Sequence, residues 1–298
     1  MAAGPPTHTA TPASTAVFPV AQYDLPGTLA SGQAFRWQLT DLGWTGVIGS
    51  LFVRLRADEF SIEAETAHPV TDWSWLRAYL QLDLELAQVL RTFPDDEPMR
   101  TAVAACRGLR LLRQEPWECL ASFILSSTKQ IVQIRQIVGL ICERFGEPLQ
   151  ALPGHSAAYA FPTASRIART TEAELRACRM GFRAPYLLAT ASRVAGGQFD
   201  LAGIGNLPLA VARTELMSLP GVGRKIADCV LLFAYGFPSA FPVDVWVMKA
   251  LRQLYFPRRR VSMQRMHRFA ATHFGPWGGY AQQYLFHYMR THRPSKLK

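Results

Sequence analysis

Residues 216–236 read LMSLPGVGRKIADCVLLFAYG, and two glycines enclosing one apolar residue between a helix end and a new helix start leave few folds open. The pattern is that of a helix-hairpin-helix. Gly221 and Gly223 permit close backbone approach, and the amides exposed around Val222 and at the following helix start suit a phosphate oxygen. A plain helical connector shares this outline, so the flanking residues must discriminate. The helix expected over 224–235 carries Ile226, Val230 and Phe233 on an apolar stripe, while Lys225 and Cys229, four residues apart, share another face and could line one pocket. A lysine in the first helical turn sits at the positive end of the macrodipole, which favours the free amine needed of a nucleophile. The bland alternative is a phosphate-binding or surface lysine paired with Asp228 three residues on.

Twenty residues further, FPVDVWVMKALRQLY places Asp244 as the natural N-cap of a helix whose apolar positions Val245, Met248 and 251–254 face inward. Capping alone would explain the aspartate, since a carboxylate accepting amide hydrogens there stabilises by about 0.5–2 kcal/mol. The same hydrogen bonds would hold it ionised. An ionised carboxylate near a lysine could also stabilise positive charge developing on a sugar ring, the problem common to glycosidic cleavage.

The partner class follows from charge. Thirty-two Lys and Arg against 22 Asp and Glu leave +10 at pH 7, which favours a polyanion such as nucleic acid, with a merely soluble basic protein as the bland alternative. The 49% hydrophobic content is that of a globular chain with a sizeable core. Five cysteines, at 106, 119, 142, 178 and 229, are odd in number and contain no CxxC pair, which suggests neither a disulfide framework nor a zinc site. No run reaches the ~20 apolar residues of a membrane span, and the opening MAAGPPTHTATPASTAVFPV lacks a signal core, so an intracellular location is expected. That opening, rich in Ala, Thr and Pro, reads as a flexible tail over residues 1–20.

The expected architecture is α+β: a small N-terminal antiparallel β-sheet domain (21–110) packed on a mainly α-helical core (111–298) with the helix-hairpin-helix at about 210–235. Strand-like runs at 34–39, 44–48, 51–56 and 60–64 are punctuated by turn residues. From Asp72 the period shifts towards 3.6. Pro116 starts a buried central helix, and further helices are expected over 130–145, 171–178, 184–194, 208–218 and 262–273. The boundary near residue 110 shows no linker, so the two parts should share an interface.

LPGVGRKIADC followed by PVDV resembles the lysine-bearing branch of the helix-hairpin-helix DNA glycosylase superfamily. Within it, SGQAFRW at 31–37, LRLLRQEPWECLASFILSS at 109–127 and WGGYAQQYLF at 277–286 are similar to segments of the 8-oxoguanine DNA glycosylase/AP lyase family, in order, over about residues 23–290. The resemblance implies a glycosylase core and a bifunctional enzyme of base excision repair. Lys225 would attack the anomeric carbon of a damaged nucleotide in duplex DNA, Asp244 would assist departure of the base, and the imine formed would allow elimination that nicks the strand.

Base recognition falls by the same resemblance to Gly32, Cys229, Gln282 and Phe286, with the Gly32 carbonyl accepting the N7 proton that 8-oxoguanine has and guanine lacks. Independently, Gln282 and Phe286 are four apart on a helix, so an amide and a ring can face the same base. The DNA-binding set comprises Gly221, Val222, Gly223, Thr128, Lys129, Phe182, Arg183 and Trp246. The run Arg258-Arg259-Arg260 is a further phosphate-contact candidate, although such runs are usually solvated. Carbonyls of Met217, Leu219 and Val222 could hold a structural monovalent cation. No other cofactor is expected, and no iron–sulfur cluster, because the last cysteine is Cys229. The protein is expected to act as a monomer, in the cytoplasm or nucleoid of a bacterium or the nucleus of a eukaryote.

The chain also departs from the family, which reads the orphaned cytosine with an asparagine wedge, two arginines and a tyrosine. Here Thr128, Lys129 and Gln130 follow the SS pair, Gln133 stands at one arginine position and Phe182 replaces the tyrosine; Arg183 remains. Two other readings stay open: a monofunctional alkylpurine glycosylase that uses activated water, and a non-enzymatic DNA-binding module that needs no pocket.

Overall fold

The computed structural model describes residues 13–127, 129–257 and 259–292. Thr128, Arg258 and the first twelve residues of the expected tail lie outside the described residues. The architecture is α+β, as the sequence predicts. Its sheet contains β1 (Ser14–Pro19), β2 (Gln38–Thr40), β3 (Gly43–Ile48), β4 (Leu51–Ala57) and β5 (Ser61–Thr66), all antiparallel in the order β1-β5-β4-β3-β2. Two short strands, β6 (Pro148–Leu149) and β7 (Ala158–Tyr159), form a separate ribbon.

Ser14–Pro19 corrects the flexible-tail reading. The segment pairs with β5 from Ser14 opposite Thr66 to Pro19 opposite Ser61. Only Phe18 buries its side chain fully. The ladder hydrogen bonds hold the rest, a contribution that composition does not show, and Pro19 is tolerated because the strand is at an edge. The run at 34–39 is also corrected, since only Gln38–Thr40 is strand. Residues 31–37 are held instead as a loop by Gln33, a fully buried glutamine. Its Nε2 donates to the carbonyls of Thr28 (3.0 Å) and Arg110 (2.8 Å), and its Oε1 accepts from the Leu112 amide (2.7 Å). Trp37, 1% exposed, is fixed by a 2.8 Å bond from Nε1 to the Tyr79 hydroxyl.

The helices are α1 (Leu25–Ala30), α2 (Ser74–Leu80), α3 (Leu86–Leu90), α4 (Glu97–Ala105), α5 (Pro116–Leu125), α6 (Ile131–Phe145), α7 (Ala164–Ala168), α8 (Glu172–Ala177), α9 (Ala184–Ala195), α10 (Leu209–Met217), α11 (Arg224–Val230), α12 (Val245–Ala250), α13 (Met263–His273) and α14 (Gly278–Thr291). α5 is the central helix: every residue from Cys119 to Leu125 is buried, and Phe123 stacks on Phe233 with ring centroids 5.6 Å apart. The helix expected over 224–235 is α11 followed by a wider π turn at Leu231–Tyr235, which ends at Gly236 in the left-handed conformation.

The hydrophobic cores do not divide at residue 110. Val53, Leu55, Ile62, Leu76 and Leu80 pack under the sheet with Leu112. Leu86, Val89, Met99, Ala102 and Leu109 belong to the helical core. The segment carrying α3 and α4 therefore packs with the helices, because its apolar stripe finds α14 rather than the sheet.

Candidate active site

The sequence brings α11 and α12 together around a cavity of about 840 Å³ lined by residues from both ends of the chain. Gly32, Lys129, Lys225, Cys229, Asp244, Trp246, Gln282 and Phe286 all line it. These are the two proposed catalytic residues, all four proposed base-recognition residues and two members of the DNA-binding set.

Lys225 occupies the first turn of α11, and its Nζ donates to the Ser126 hydroxyl at 3.0 Å and lies 5.1 Å from the Phe123 ring centroid. The alternative of an Asp228 pairing does not occur. Asp228 points to the other side of α11, where it is 1% exposed and accepts from Arg213 Nε at 2.6 Å, with Arg224 Nε at 3.6 Å. Burial raises the Asp228 pKa more than Arg213 lowers it. Lys225 is thus left facing the cavity, with an aromatic ring and a hydroxyl beside its amine.

Asp244 is the N-cap of α12, accepting from the amides of Trp246 (3.0 Å) and Val247 (2.8 Å). The cap is as expected, but the argument that its hydrogen bonds keep the group ionised needs correction. Burial raises its pKa above the ordinary carboxylate value, and outweighs the lowering by the Val247 amide, Lys225, the Trp246 amide and Arg290. A carboxylate in this position is poised to gain from any positive charge that develops nearby. Cys229, one turn after Lys225, is 3% exposed and its thiol is pushed up to about 12 by burial, so it is a neutral contact surface.

Gln282 is 3% exposed, and its Oε1 is buried without a hydrogen-bond partner among the described residues. An unmade bond of that kind costs about 1–3 kcal/mol, which an occupant with a donor would relieve. Phe286 follows four residues later on α14 and supplies a ring to the same cavity. Gly32, at φ +80°, turns the chain into the cavity where a side chain would collide with Ile131, 2.5 Å from an added Cβ. The flanking carbonyls of Ser31 and Gln33 accept from Gln283 Nε2 (3.3 Å) and Gln114 Nε2 (2.7 Å), which fixes the loop on both sides of Gly32.

The hairpin is exposed at Gly221 and Gly223, with Val222 buried between them. The two glycines differ. Gly221 has φ +75° and would place a Cβ 2.8 Å from Tyr186 Cβ, so the fold itself requires it, whereas a Cβ at Gly223 would meet nothing. Gly223 is the N-cap residue of α11 and is exposed, at a helix start whose first amides suit an anion. At the proposed cation carbonyls, Leu219 O accepts from the Val222 amide at 3.1 Å, and the neighbouring Ser218 O accepts from Arg193 Nη1 at 2.7 Å. The Met217 side of the turn is exposed. Among the described residues no three His, Cys, Asp or Glu side chains cluster as metal ligands.

Phe182 and Arg183 lie away from the cavity. The Phe182 ring is 55% exposed, but Arg183 is 2% exposed, with its guanidinium 4.2 Å from that ring centroid and Nη1 donating to Met180 O at 3.3 Å. A DNA contact by Arg183 would need Phe182 to move. Gln133 is engaged locally, its Oε1 accepting from the Gln130 amide at 3.1 Å in a capping box. Arg259 and Arg260 are exposed.

Ser126, Ile131 and Arg290 also line the cavity and were not singled out in the sequence. Ser126 closes the quoted segment 109–127, but its part as the Lys225 acceptor depends on how α5 meets α11. Arg290 is four residues past Phe286 on α14, and that spacing was the available signal.

Residues 16–120 match the family described as 8-oxoguanine DNA glycosylase, N-terminal domain, and residues 121–272 match the HhH-GPD superfamily base excision DNA repair protein family. The chain is similar to N-glycosylase/DNA lyase OGG1 of Arabidopsis thaliana, 31% identical over 88% of this chain and 76% of that protein. Its fold is similar to that of MBOgg1 solved with a low-affinity DNA ligand (TM-score 0.88, 31% identity, 93% of this chain and 95% of that one). It is likewise similar to Clostridium acetobutylicum 8-oxoguanine glycosylase/lyase solved with double-stranded DNA containing cytosine opposite 8-oxoG (TM-score 0.85, 30% identity, 92% and 97%).

Proposed function

The chain belongs to the 8-oxoguanine DNA glycosylase family within the HhH-GPD superfamily of base excision DNA repair proteins, and from that premise we propose how its cavity works. The protein is a DNA N-glycosylase and DNA lyase that excises oxidised purines from double-stranded DNA. The observation that carries the reading is the convergence of Lys225, Asp244 and the unpartnered Gln282 Oε1 on one cavity.

The nucleotide is extruded into the cavity at a cost of a few kcal/mol, offset by phosphate contacts from the hairpin amides at Gly221–Gly223, from Lys129 and from the exposed arginines. The base lies against Phe286 and Cys229, with its edges at Gln282 and Gly32. The Lys225 amine attacks C1′, and the C1′–N bond to the base breaks with the electron pair leaving on the base. Asp244 stabilises the positive charge that the sugar ring acquires meanwhile. Loss of the amine protons as the sugar ring opens gives an imine at C1′. Removal of a C2′ proton then expels the 3′ phosphate and nicks the strand. Ser126 holds the amine near the point of attack. Because Lys225 supplies the nucleophile, the route needs no activated water, and it departs there from a monofunctional alkylpurine enzyme. The hairpin carbonyls of Met217, Leu219 and Val222 would hold a monovalent cation with a structural role. Both catalytic groups come from one chain, which is consistent with action as a monomer.

Borohydride trapping on a duplex containing 8-oxoguanine tests this. The wild-type protein is expected to form a covalent adduct, and Lys225→Gln is expected to abolish the adduct and most turnover while keeping lesion binding. Strand cleavage by Lys225→Gln at the wild-type rate would overturn the lysine mechanism.

A further inference from the structure

The helix that presents Gln282 and Phe286 presents a third group to the cavity. Arg290 lines it one turn past Phe286, with its guanidinium carbon 5.3 Å from that ring centroid. Its Nη1 is buried with no hydrogen-bond partner among the described residues. A Cβ placed on Gly32 would lie 3.3 Å from the same nitrogen and 2.5 Å from Ile131 Cδ1, so Nη1 and Ile131 both stand beside Gly32. The charges around it oppose one another. Burial and Arg135 disfavour the guanidinium, and Asp244 favours it. A cation kept half-buried with an unmade bond is costly as packing alone, since a straight apolar side chain would fill the same space.

Oxidation of guanine changes one edge of the base. N7 gains a hydrogen and C8 gains a carbonyl oxygen, so a donor and an acceptor come to stand side by side. The cavity offers a matching pair: a carbonyl at Gly32, which accepts no hydrogen bond among the described residues, and Arg290 Nη1 on the side of Gly32 where a Cβ would stand. We propose that Arg290 is a specificity-determining residue whose Nη1 donates to the C8 carbonyl oxygen of an oxidised purine seated against Gly32. The proposal rests on the reading of this cavity as the base site. Unmodified guanine presents no oxygen at that position and leaves the buried nitrogen unsatisfied, so the arginine adds discrimination to that of the Gly32 carbonyl. A charge-assisted hydrogen bond of this kind corresponds to about a ten- to hundredfold change in rate.

The test compares single-turnover excision of 8-oxoguanine and 8-thioguanine from otherwise identical duplexes, because the sulfur analogue keeps the N7 hydrogen and weakens the C8 acceptor. Nicking of a preformed abasic site, which involves no base, reports folding and lyase chemistry. Arg290→Met, which keeps the aliphatic stem against Phe286, is expected to slow 8-oxoguanine excision tenfold or more while 8-thioguanine excision and abasic nicking stay within about threefold. The oxo-to-thio ratio should therefore collapse. Arg290→Gln keeps a neutral donor, serves if the methionine variant does not fold, and should give an intermediate ratio. A ratio unchanged from wild type in the folded variants overturns the proposal. Equal losses on both bases and on the abasic site also overturn it, by making Arg290 a backbone contact or a structural residue. A wild-type protein that releases neither base would overturn the cavity reading as well, whereas an active wild type with an insensitive ratio overturns only the role of Arg290.

Discussion

Asp244 combines two demands that pull apart at the residue scale. As an N-cap it stabilises α12, yet burial raises its pKa, so ionising it costs folding free energy. A carboxylate whose folded pKa is raised contributes stability that is fully present below the unfolded value and is lost as pH rises through the folded value. Asp244→Asn retains a capping side chain, and is expected to be more stable than wild type at pH 7. The difference should shrink as pH falls towards the ordinary carboxylate range. Base excision should drop a hundredfold or more while lesion affinity changes little. Thermal unfolding against pH and single-turnover rates check both parts; a variant less stable at every pH would assign Asp244 a purely structural role. Opposite-base reading is the second residue-scale matter. With a glutamine at 133, its Oε1 engaged by the Gln130 amide, and Arg183 buried beside Phe182, neither position offers a cytosine an exposed guanidinium. Excision opposite C, T, G and A at one salt concentration is expected to vary by about tenfold or less, since one planar arginine contact is worth about 1–3 kcal/mol. A hundredfold preference for cytosine would show that the missing readout comes from elsewhere. Lys225, Cys229, Gln282 and Phe286 were legible because their helical spacing already sets their faces. The burial of Arg183 was not legible because exposure depends on what packs around a side chain, and Ser126 was missed because its partner is 99 positions away in the chain.

Helices were easier to read than strands at the element scale. The periods of α6, α8, α9 and α13 fix their existence, and capping residues such as Thr171 and Ser262 fix their starts. β1 was missed because its main-chain ladder leaves almost no hydrophobic pattern, and residues 34–37 were taken for strand because Phe35 and Trp37 are buried in a loop that side-chain hydrogen bonds to distant residues hold in place. The hairpin also has a brace that its own sequence does not reveal. Arg213 on α10 and Arg224 on α11 enclose Asp228, and His267 on α13 feels the charge of the same pair of arginines. Burial and these two cations lower the His267 pKa to about 4. Its depressed value means that stability present above the unfolded pKa of about 6.5 is lost as pH falls towards 4, because the unfolded chain takes up a proton that the folded ring refuses. Solvent around the partly exposed ring screens the effect, leaving on the order of 1 kcal/mol. His267→Gln is expected to lose less stability than wild type between pH 7 and pH 4. Parallel curves for the two proteins in denaturant unfolding would rule out this linkage.

On the scale of the whole molecule, the division into sheet and helical parts was legible but its boundary was not. A chain position cannot mark it, because α3 and α4 pack with the helices while Leu112 returns to the sheet. The site depends on this interleaving: Gly32 comes from a loop near the N-terminal sheet, and Gln282, Phe286 and Arg290 come from α14. Gln283 ties the two directly through the Ser31 carbonyl, 252 positions away in sequence. Such distant closure is slow relative to local helix formation, and during synthesis it must wait until α14 has left the ribosome. A growing chain therefore completes the hairpin segment before it holds the α14 wall of the cavity. Base excision is the last capability such a chain can acquire, because Gln282 and Phe286 are among the last residues of the cavity to be made.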